Sequence, residues 1–247
     1  MGLFDIFNKT KELPLPDLSV LKTDMHSHFI PAIDDGAQTM EDSLNLIRAM
    51  QDFGYSKVVT TPHIMTDSYR NTPEIILGGL KNVKQAVKEA GLTIQVEAAA
   101  EYYYDFEFEK KLKEKNVLTF GNKYLLWEIP FINPPDNINE LIFEMGIQGY
   151  KSVLAHVERY GFWQNDFEKY EELAGRGVYL QMNINSVTGH YSPMTKKAAQ
   201  WLIEHDMISF VGSDCHHMGH IELIKKAYTD KHFQKLLGSS KLLNKTL

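Results

Sequence analysis

The sequence predicts an α/β fold in a single domain, a barrel of seven strand–helix units. Short apolar, β-branched runs recur along the chain, the pattern of parallel strands covered on both faces. Amphipathic stretches with recognisable helix starts lie between them. The length, 247 residues, suits one α/β barrel. An open doubly wound sheet is the alternative, but no GxGxxG or Walker A loop gives a reason to prefer it.

The first candidate strand spans 20–25. Thr39 and Asp42 then form a variant capping box, opening a helix with Leu44, Ile47 and Met50 on one side and Gly54 closing it. After the second strand, 57–61, Thr72-Pro73 starts a helix reaching Gly91 with Leu80, Val83 and Val87 inward. Gly78-Gly79 weakens that helix by about 1 kcal/mol per Gly. The third and fourth strands, 93–100 and 124–129, flank a charged run over 107–115 that reads as a solvated face. The stretch 131–139, with Pro134-Pro135, reads as a loop before the fifth strand, 151–155. Phe167, Tyr170 and Leu173 mark a short helix ahead of the sixth strand, 177–184. Ser192-Pro193 opens a helix ending near His205, and 207–212 is the seventh strand. Residues 1–19 form a flexible extension before a barrel domain over 20–247.

With 43% hydrophobic residues the chain can bury a sizeable core, and its net charge of −6 argues against a nucleic-acid partner. The single cysteine, Cys215, allows no intramolecular disulfide and fits a reducing compartment. No apolar run approaches the roughly 20 residues of a membrane span. Asp5 comes too early for a secretory signal, and Ile6 stands where a myristoylation motif after Gly2 needs Ser or Thr. Leu3, Phe4, Ile6 and Phe7 read as an arm or as packing on the body. A cytoplasmic location is expected.

The polar residues are informative by position, since nearly every candidate strand ends in a group able to bind a metal or a proton. The ends read Asp24-Met25-His26-Ser27-His28, with Asp34-Asp35-Gly36 just beyond, then Thr61-Pro62-His63, Glu101, Glu128, His156-Val157-Glu158-Arg159, Asn183-Ile184-Asn185-Ser186 and Ser213-Asp214-Cys215-His216. In a parallel barrel these ends share one rim, where barrel active sites form. His26 and His28, at i and i+2 on a strand, point the same way and can reach one ion. A lone His at a strand end is ordinarily a satisfied polar residue, and Asp214-Cys215-His216 alone would pass as a turn. Glu101 and Glu128 beside apolar strands are harder to explain, because burying an unpartnered carboxylate is costly. Their convergence predicts a metal site. Imidazole plus carboxylate without thiolate suits Mn, Fe or Zn, and is too rich in imidazole for Ca or Mg.

The set His26-Ser27-His28, Asp34-Asp35-Gly36, Thr61-Pro62-His63, Glu101, Glu128, His156-Val157-Glu158-Arg159-Tyr160 and Ser213-Asp214-Cys215-His216 resembles the PHP (polymerase and histidinol phosphatase) superfamily. Within it, the likeness is to bacterial tyrosine-protein phosphatases of the CpsB/YwqE type. The resemblance implies a distorted, TIM-like seven-stranded barrel with three divalent metals, Mn foremost. It implies a first metal on His26, His28, Glu101 and Asp214, a second on Glu101, Glu128 and His156, and a third on Asp35, His63 and His216. It further implies Arg159, Glu101 and Asp214 as catalytic residues, with Arg159 on the substrate phosphate, and a partner that is an autophosphorylating tyrosine kinase of capsule or exopolysaccharide synthesis. Relatives often carry a second phosphate-binding Arg after the SDxH segment. Here the chain continues His217-Met218-Gly219-His220-Ile221, which makes His217 the candidate for that role.

The expected chemistry is direct in-line attack of activated water on a phosphotyrosine, with Arg159 neutralising phosphoryl oxygens. The thiolate route is absent, since Ile221 stands where a Cys215-based site would need its Arg. Tyr102-Tyr103-Tyr104 either line a phenol-binding mouth or split between core and surface. Three rivals stand beside this reading: a histidinol-phosphate or other small-molecule phosphoesterase, an amidohydrolase-like barrel, and a catalytically silent metal-binding docking protein.

Overall fold

The computed structural model describes residues 13–247; the expectations about Gly2, Leu3, Phe4, Ile6 and Phe7 fall outside the described residues. Its strands are β1 (Thr23–Asp24), β2 (Lys57–Thr60), β3 (His63–Ile64), β4 (Gln95–Ala98), β5 (Glu101–Tyr103), β6 (Tyr124–Glu128), β7 (Lys151–Leu154), β8 (Tyr179–Asn183) and β9 (Phe210–Gly212). All pairings between them are parallel, in the orders β1-β2-β4 and β3-β5-β6-β7-β8-β9. Each of the seven expected runs carries strand. Beyond two of them lies a further short strand, β3 after the second run and β5 after the third. Pro62 offers no N–H to a ladder, so pairing is interrupted between β2 and β3. It is interrupted in step between β4 and β5, at Ala99-Ala100, while Ala99 N–H to Thr60 O (2.9 Å) and Glu101 N–H to Pro62 O (3.1 Å) keep the register.

The sheet curls, bringing the two ends of its strand order side by side. Asp214 N–H donates to His26 O (2.8 Å) and His28 N–H to Cys215 O (3.0 Å). Asp24 accepts from Ser213 N–H (2.8 Å) and from its hydroxyl (2.7 Å). Burial raises the Asp24 carboxyl to about 7. Gly212 permits this approach, since a Cβ there would stand 2.6 Å from the His26 Cβ.

The helices are α1 (Met40–Asp52), α2 (Pro73–Glu89), α3 (Phe106–Lys113), α4 (Ile138–Ile147), α5 (Phe167–Gly175), α6 (Pro193–Glu204), α7 (Met218–Tyr228) and α8 (Lys231–Leu237). The Thr39–Asp42 capping box, the Thr72-Pro73 start and the Ser192-Pro193 start all form as expected. The run read as a solvated face is largely α3, which is capped by Asp105 and buries Phe108 and Leu112. Strand side chains alternate as a period of two requires. Leu125 and Trp127 face the helices, whereas Met25, Val59, Leu126, Val153 and Phe210 form a separate cluster on the concave side.

Candidate metal centre and its cavity

All nine expected ligand residues meet at one end of the strands. His26 Nε2 lies 3.1 Å from Glu101 Oε2 and 3.5 Å from Asp214 Oδ1, and His28 Nε2 is 3.5 Å from each of the same two oxygens. His156 Nε2 stands 2.9 Å from Glu101 Oε1 and 3.6 Å from Glu128 Oε2. His63 Nδ1 approaches Glu101 Oε2 at 3.2 Å and Glu128 Oε1 at 3.3 Å. Asp35 Oδ1 lies 3.6 Å from His63 Nε2 and 3.5 Å from His216 Nε2. Glu101 is the hub, fully buried and within 3.5 Å of four imidazoles.

This donor set fits divalent cations. Atoms each about 2.1 Å from one ion stand roughly 3.0–3.4 Å from one another, close to the separations found. His26 Nε2 and His28 Nε2 face each other at 3.5 Å, where a shared cation satisfies both lone pairs. Four groups of side chains could hold one: His28, Asp35, His63 and His216; His26, His28 and Asp214; His26, Glu101 and His156; His63, Glu101 and Glu128.

The backbone and a ring of neighbours aim these groups. His156 and Asp214 both adopt left-handed backbone, φ 32° and 47°, a costly conformation for residues with a Cβ and one that recurs at functional sites. His28 Nδ1–H donates to Asp34 Oδ2 (2.7 Å), His26 Nδ1–H to Gln181 Oε1 (3.1 Å) and His216 Nδ1–H to Asp214 O (2.9 Å). Each bond engages Nδ1, so that the neutral ring offers Nε2 as its ligand atom. The imidazoles and carboxylates also set each other's charge. Burial alone would lower His26, yet Glu101 and Asp214 hold it up at about 9. Burial opposes the Glu101 carboxylate, but His26 and His63 keep it well below its usual range. The His216 side chain, 3.5 Å away, holds Asp35 down at about 2.

Gly36 explains the DDG segment. A Cβ there would meet His28 O at 2.2 Å and His28 Cβ at 2.4 Å. Gly36→Ala is therefore expected to push the Asp34–Asp35 turn off His28 and to cost about 1–3 kcal/mol, read from the denaturant midpoint. An unchanged midpoint would mean the turn moves freely.

A cavity of about 430 Å³ opens over the cluster, with Asp35, Glu128, Asp214 and His216 exposed to it. Its walls include Met65, Tyr69, Tyr103, Phe131 and Tyr191. Arg159 is held among them. Its guanidinium carbon lies 4.8 Å from the Phe131 ring centroid and 4.3 Å from that of Tyr191, and Nη1 is 3.2 Å from Asp214 Oδ2. His217 also lines the cavity, with Nδ1 accepting from Gly219 N–H (3.1 Å) at the start of α7. Of the three tyrosines after β4, Tyr103 reaches the cavity while Tyr102 is core. Cys215 is fully buried, and burial raises its thiol well above the usual range. It has no access to substrate.

The sequence profile of the capsular polysaccharide synthesis proteins, CpsB/CapC, matches residues 22–238. The chain belongs to the CpsB/CapC family. Among its relatives, the tyrosine-protein phosphatase CpsB of Streptococcus agalactiae is 29% identical over 201 residues, covering 79% of this chain and 83% of its own. The tyrosine-protein phosphatase YwqE of Bacillus subtilis is 28% identical over 196 residues, 79% of this chain and 77% of its own. A crystal structure from a study of YwqE from B. subtilis and CpsB from Streptococcus pneumoniae, described as metal-dependent tyrosine phosphatases, superimposes with a TM-score of 0.80 at 26% identity, covering 89% of each chain. An amidohydrolase from Mycoplasma synoviae superimposes at a TM-score of 0.53, with 90% of this chain and 84% of its own covered, but at 16% identity it speaks to fold alone.

Sequence reading missed Phe131, Tyr191, Gln181 and His220 at this site. Phe131 and Tyr191 sit in connecting segments without periodicity, where nothing in the pattern says which wall a ring will join. His220 lies one turn into α7, its Nδ1 3.1 Å from Asp214 O and 3.3 Å from His216 N. Burial holds it down at about 4.

Proposed function

We propose that the chain is a metal-dependent protein-tyrosine phosphatase. The observation that carries this reading is an arginine packed against two aromatic rings in the cavity over a buried His-and-carboxylate cluster, in a CpsB/CapC chain whose relatives are named tyrosine-protein phosphatases. The cluster would hold three divalent ions, Mn first, with Fe or Zn as alternatives. His26, His28, Glu101 and Asp214 would take the first, Glu101, Glu128 and His156 the second, and Asp35, His63 and His216 the third. When bound, such ions supply Lewis-acid polarisation of phosphoryl oxygens and activation of water at neutral pH.

The chain's own residues do the rest. Arg159 presents its guanidinium to the phosphoryl oxygens and neutralises charge that grows in the transition state. Tyr103, Phe131 and Tyr191 line the same cavity and would pack against an aryl group. A phenolate, with a pKa of about 10, leaves with less protonation than a serine alkoxide needs. His217, its Nδ1 committed to Gly219, would offer an Nε2–H to the phosphate, in place of a second arginine. No covalent phosphoenzyme is required.

The finer points belong to the same reading. Residues 20–247 form one domain of seven barrel units after an extension over 1–19, supported by the hydrogen bonds between 26–28 and 214–215. Among the described residues no helix is long and apolar enough to cross a membrane, and the protein acts in the cytoplasm. The substrate is a phosphotyrosine-bearing protein, foremost a bacterial tyrosine autokinase of capsule synthesis.

The test is phosphate release from a phosphotyrosyl peptide, a phosphoseryl peptide and histidinol phosphate by Mn-loaded protein. Preference for phosphotyrosine is the expected result, and preference for histidinol phosphate would move the substrate to a metabolite. Release from none of the three, with metals bound, would leave the silent docking protein. Stripping the metals with a chelator is expected to abolish release and to lower Tm by roughly 10 °C, since ions at about 1,000 times their Kd stabilise by about 4 kcal/mol. An unchanged Tm on chelation would count against a metal cluster this deep in the fold.

A further inference from the structure

Gln181 and Asn183 occupy positions i and i+2 on β8 and are fully buried. Their amides form a chain whose direction is set by one backbone group. His156 N–H can only donate, and it reaches Gln181 Oε1 at 2.7 Å. That orientation turns Gln181 Nε2 toward Asn183 Oδ1 (3.0 Å). With its oxygen engaged, Asn183 must aim its NH2 the other way. One hydrogen goes to Asp214 Oδ2 (2.6 Å) and the other to the Tyr191 hydroxyl (3.2 Å).

Each of these two contacts has a consequence at the site. Asp214 Oδ2 also receives Arg159 Nη1 at 3.2 Å, so that oxygen carries two donors. Only Oδ1 faces His26 Nε2 and His28 Nε2, at 3.5 Å from each. Tyr191, anchored by its hydroxyl, covers the Arg159 guanidinium at 4.3 Å. A flipped Asn183 would set its carbonyl oxygen against the Asp214 carboxylate, so the contact to Asp214 does not survive reversal of the chain.

We propose that Asn183 is a positioning residue tying the metal cluster to the phosphate clamp: one N–H restricts Asp214 to ligation through Oδ1, and the other holds Tyr191 over Arg159. Asn183 touches neither substrate nor metal in this scheme. It acts through two residues that do, and through them loading of the cluster and seating of Arg159 depend on a single amide. The inference rests on the metal reading of the cluster.

The experiment compares the full-length wild type with Asn183→Leu, close in shape but without the amide, and with Tyr191→Phe. Metal affinity is read by competition with a chromophoric chelator for Mn, and KM and kcat from a phosphotyrosyl peptide. Asn183→Leu is expected to weaken metal binding about 10–100-fold, the usual effect of removing an outer-shell partner, and to raise KM. Tyr191→Phe is expected to raise KM while leaving metal affinity as in the wild type. If Asn183→Leu does not fold, Asn183→Ser substitutes for it. Its hydroxyl can accept from Gln181 but is too short to reach Asp214, and the same weakening is expected. Wild-type metal affinity and KM in a folded Asn183 variant, even with a lowered Tm, would overturn the proposal, since the amide would then be a structural filler. Equal loss of metal affinity in Tyr191→Phe would overturn the division between the two N–H groups. A wild-type protein that binds no Mn, Fe or Zn would sink the metal reading itself, a different failure.

Discussion

Glu101→Gln is expected to lower kcat/KM for a phosphotyrosyl peptide by about 10³-fold or more, and to release at least one metal ion per chain. Glu101 is fully buried, and its two oxygens are shared among His26, His28, His63 and His156, at 3.1, 3.5, 3.2 and 2.9 Å. No other carboxylate at the site lies within 3.5 Å of four imidazoles. An amide keeps the shape but has one acceptor oxygen in place of two, and its NH2 would point donor hydrogens at a cation or at imidazole nitrogens meant for one. Lewis-acid assistance is worth several kcal/mol, and each 1.36 kcal/mol is tenfold in rate. Metal content by mass spectrometry and the rate under saturating Mn check the expectation together. Full metal content with a wild-type rate would remove Glu101 from the centre of the site. Circular dichroism of the same samples distinguishes a lost ion from a lost fold.

Why Glu101 was visible in the sequence is clear. A carboxylate directly after an apolar run must have a buried partner, and seven such runs pointing one way put the partners together. The same reasoning reached His26, His28, His63, His156, Asp214 and His216, because strand periodicity and the parallel arrangement dictate where their side chains go. It also reached α1, α2 and α6, whose caps are local chemistry: Thr39 with Asp42, Thr72-Pro73 and Ser192-Pro193. It did not reach α4. That helix has no side-chain cap at Asn137, leaves Phe143 and Ile147 exposed, and so shows little contrast between its faces. Nor did it find β3 and β5, which follow the second and third runs, since they are defined by pairing between segments far apart in sequence. The walls of the cavity were the least legible. Phe131 and Tyr191 lie against Arg159 from separate connecting segments, and a contact of that kind leaves no periodic trace.

That contact makes the second expectation sharp. Arg159→Ala is expected to cost about 10²–10³-fold in kcat/KM, the loss typical when one donor to a developing oxyanion is removed. Arg159→Lys is expected to recover little of it. Lysine keeps the positive charge but is a point donor on a flexible stem, whereas the guanidinium is a flat fork that stacks and binds phosphate bidentately. In the structure the guanidinium carbon lies 4.8 Å from the Phe131 ring centroid and 4.3 Å from that of Tyr191. An ammonium would not stack on either ring, and it would be free to swing toward Asp214, which Arg159 now reaches from the side at 3.2 Å. Because a guanidinium has no lone pair to offer a cation, metal content should stay at the wild-type level in both variants. Inorganic phosphate should lose affinity as a competitive inhibitor by the same order as KM rises, since ground-state binding of the phosphoryl group uses the same fork. Should Arg159→Lys retain wild-type phosphate affinity and kcat/KM, charge alone would suffice. The aromatic clamp would then need another purpose, and the case for phosphotyrosine over smaller phosphate esters would lose its main structural support.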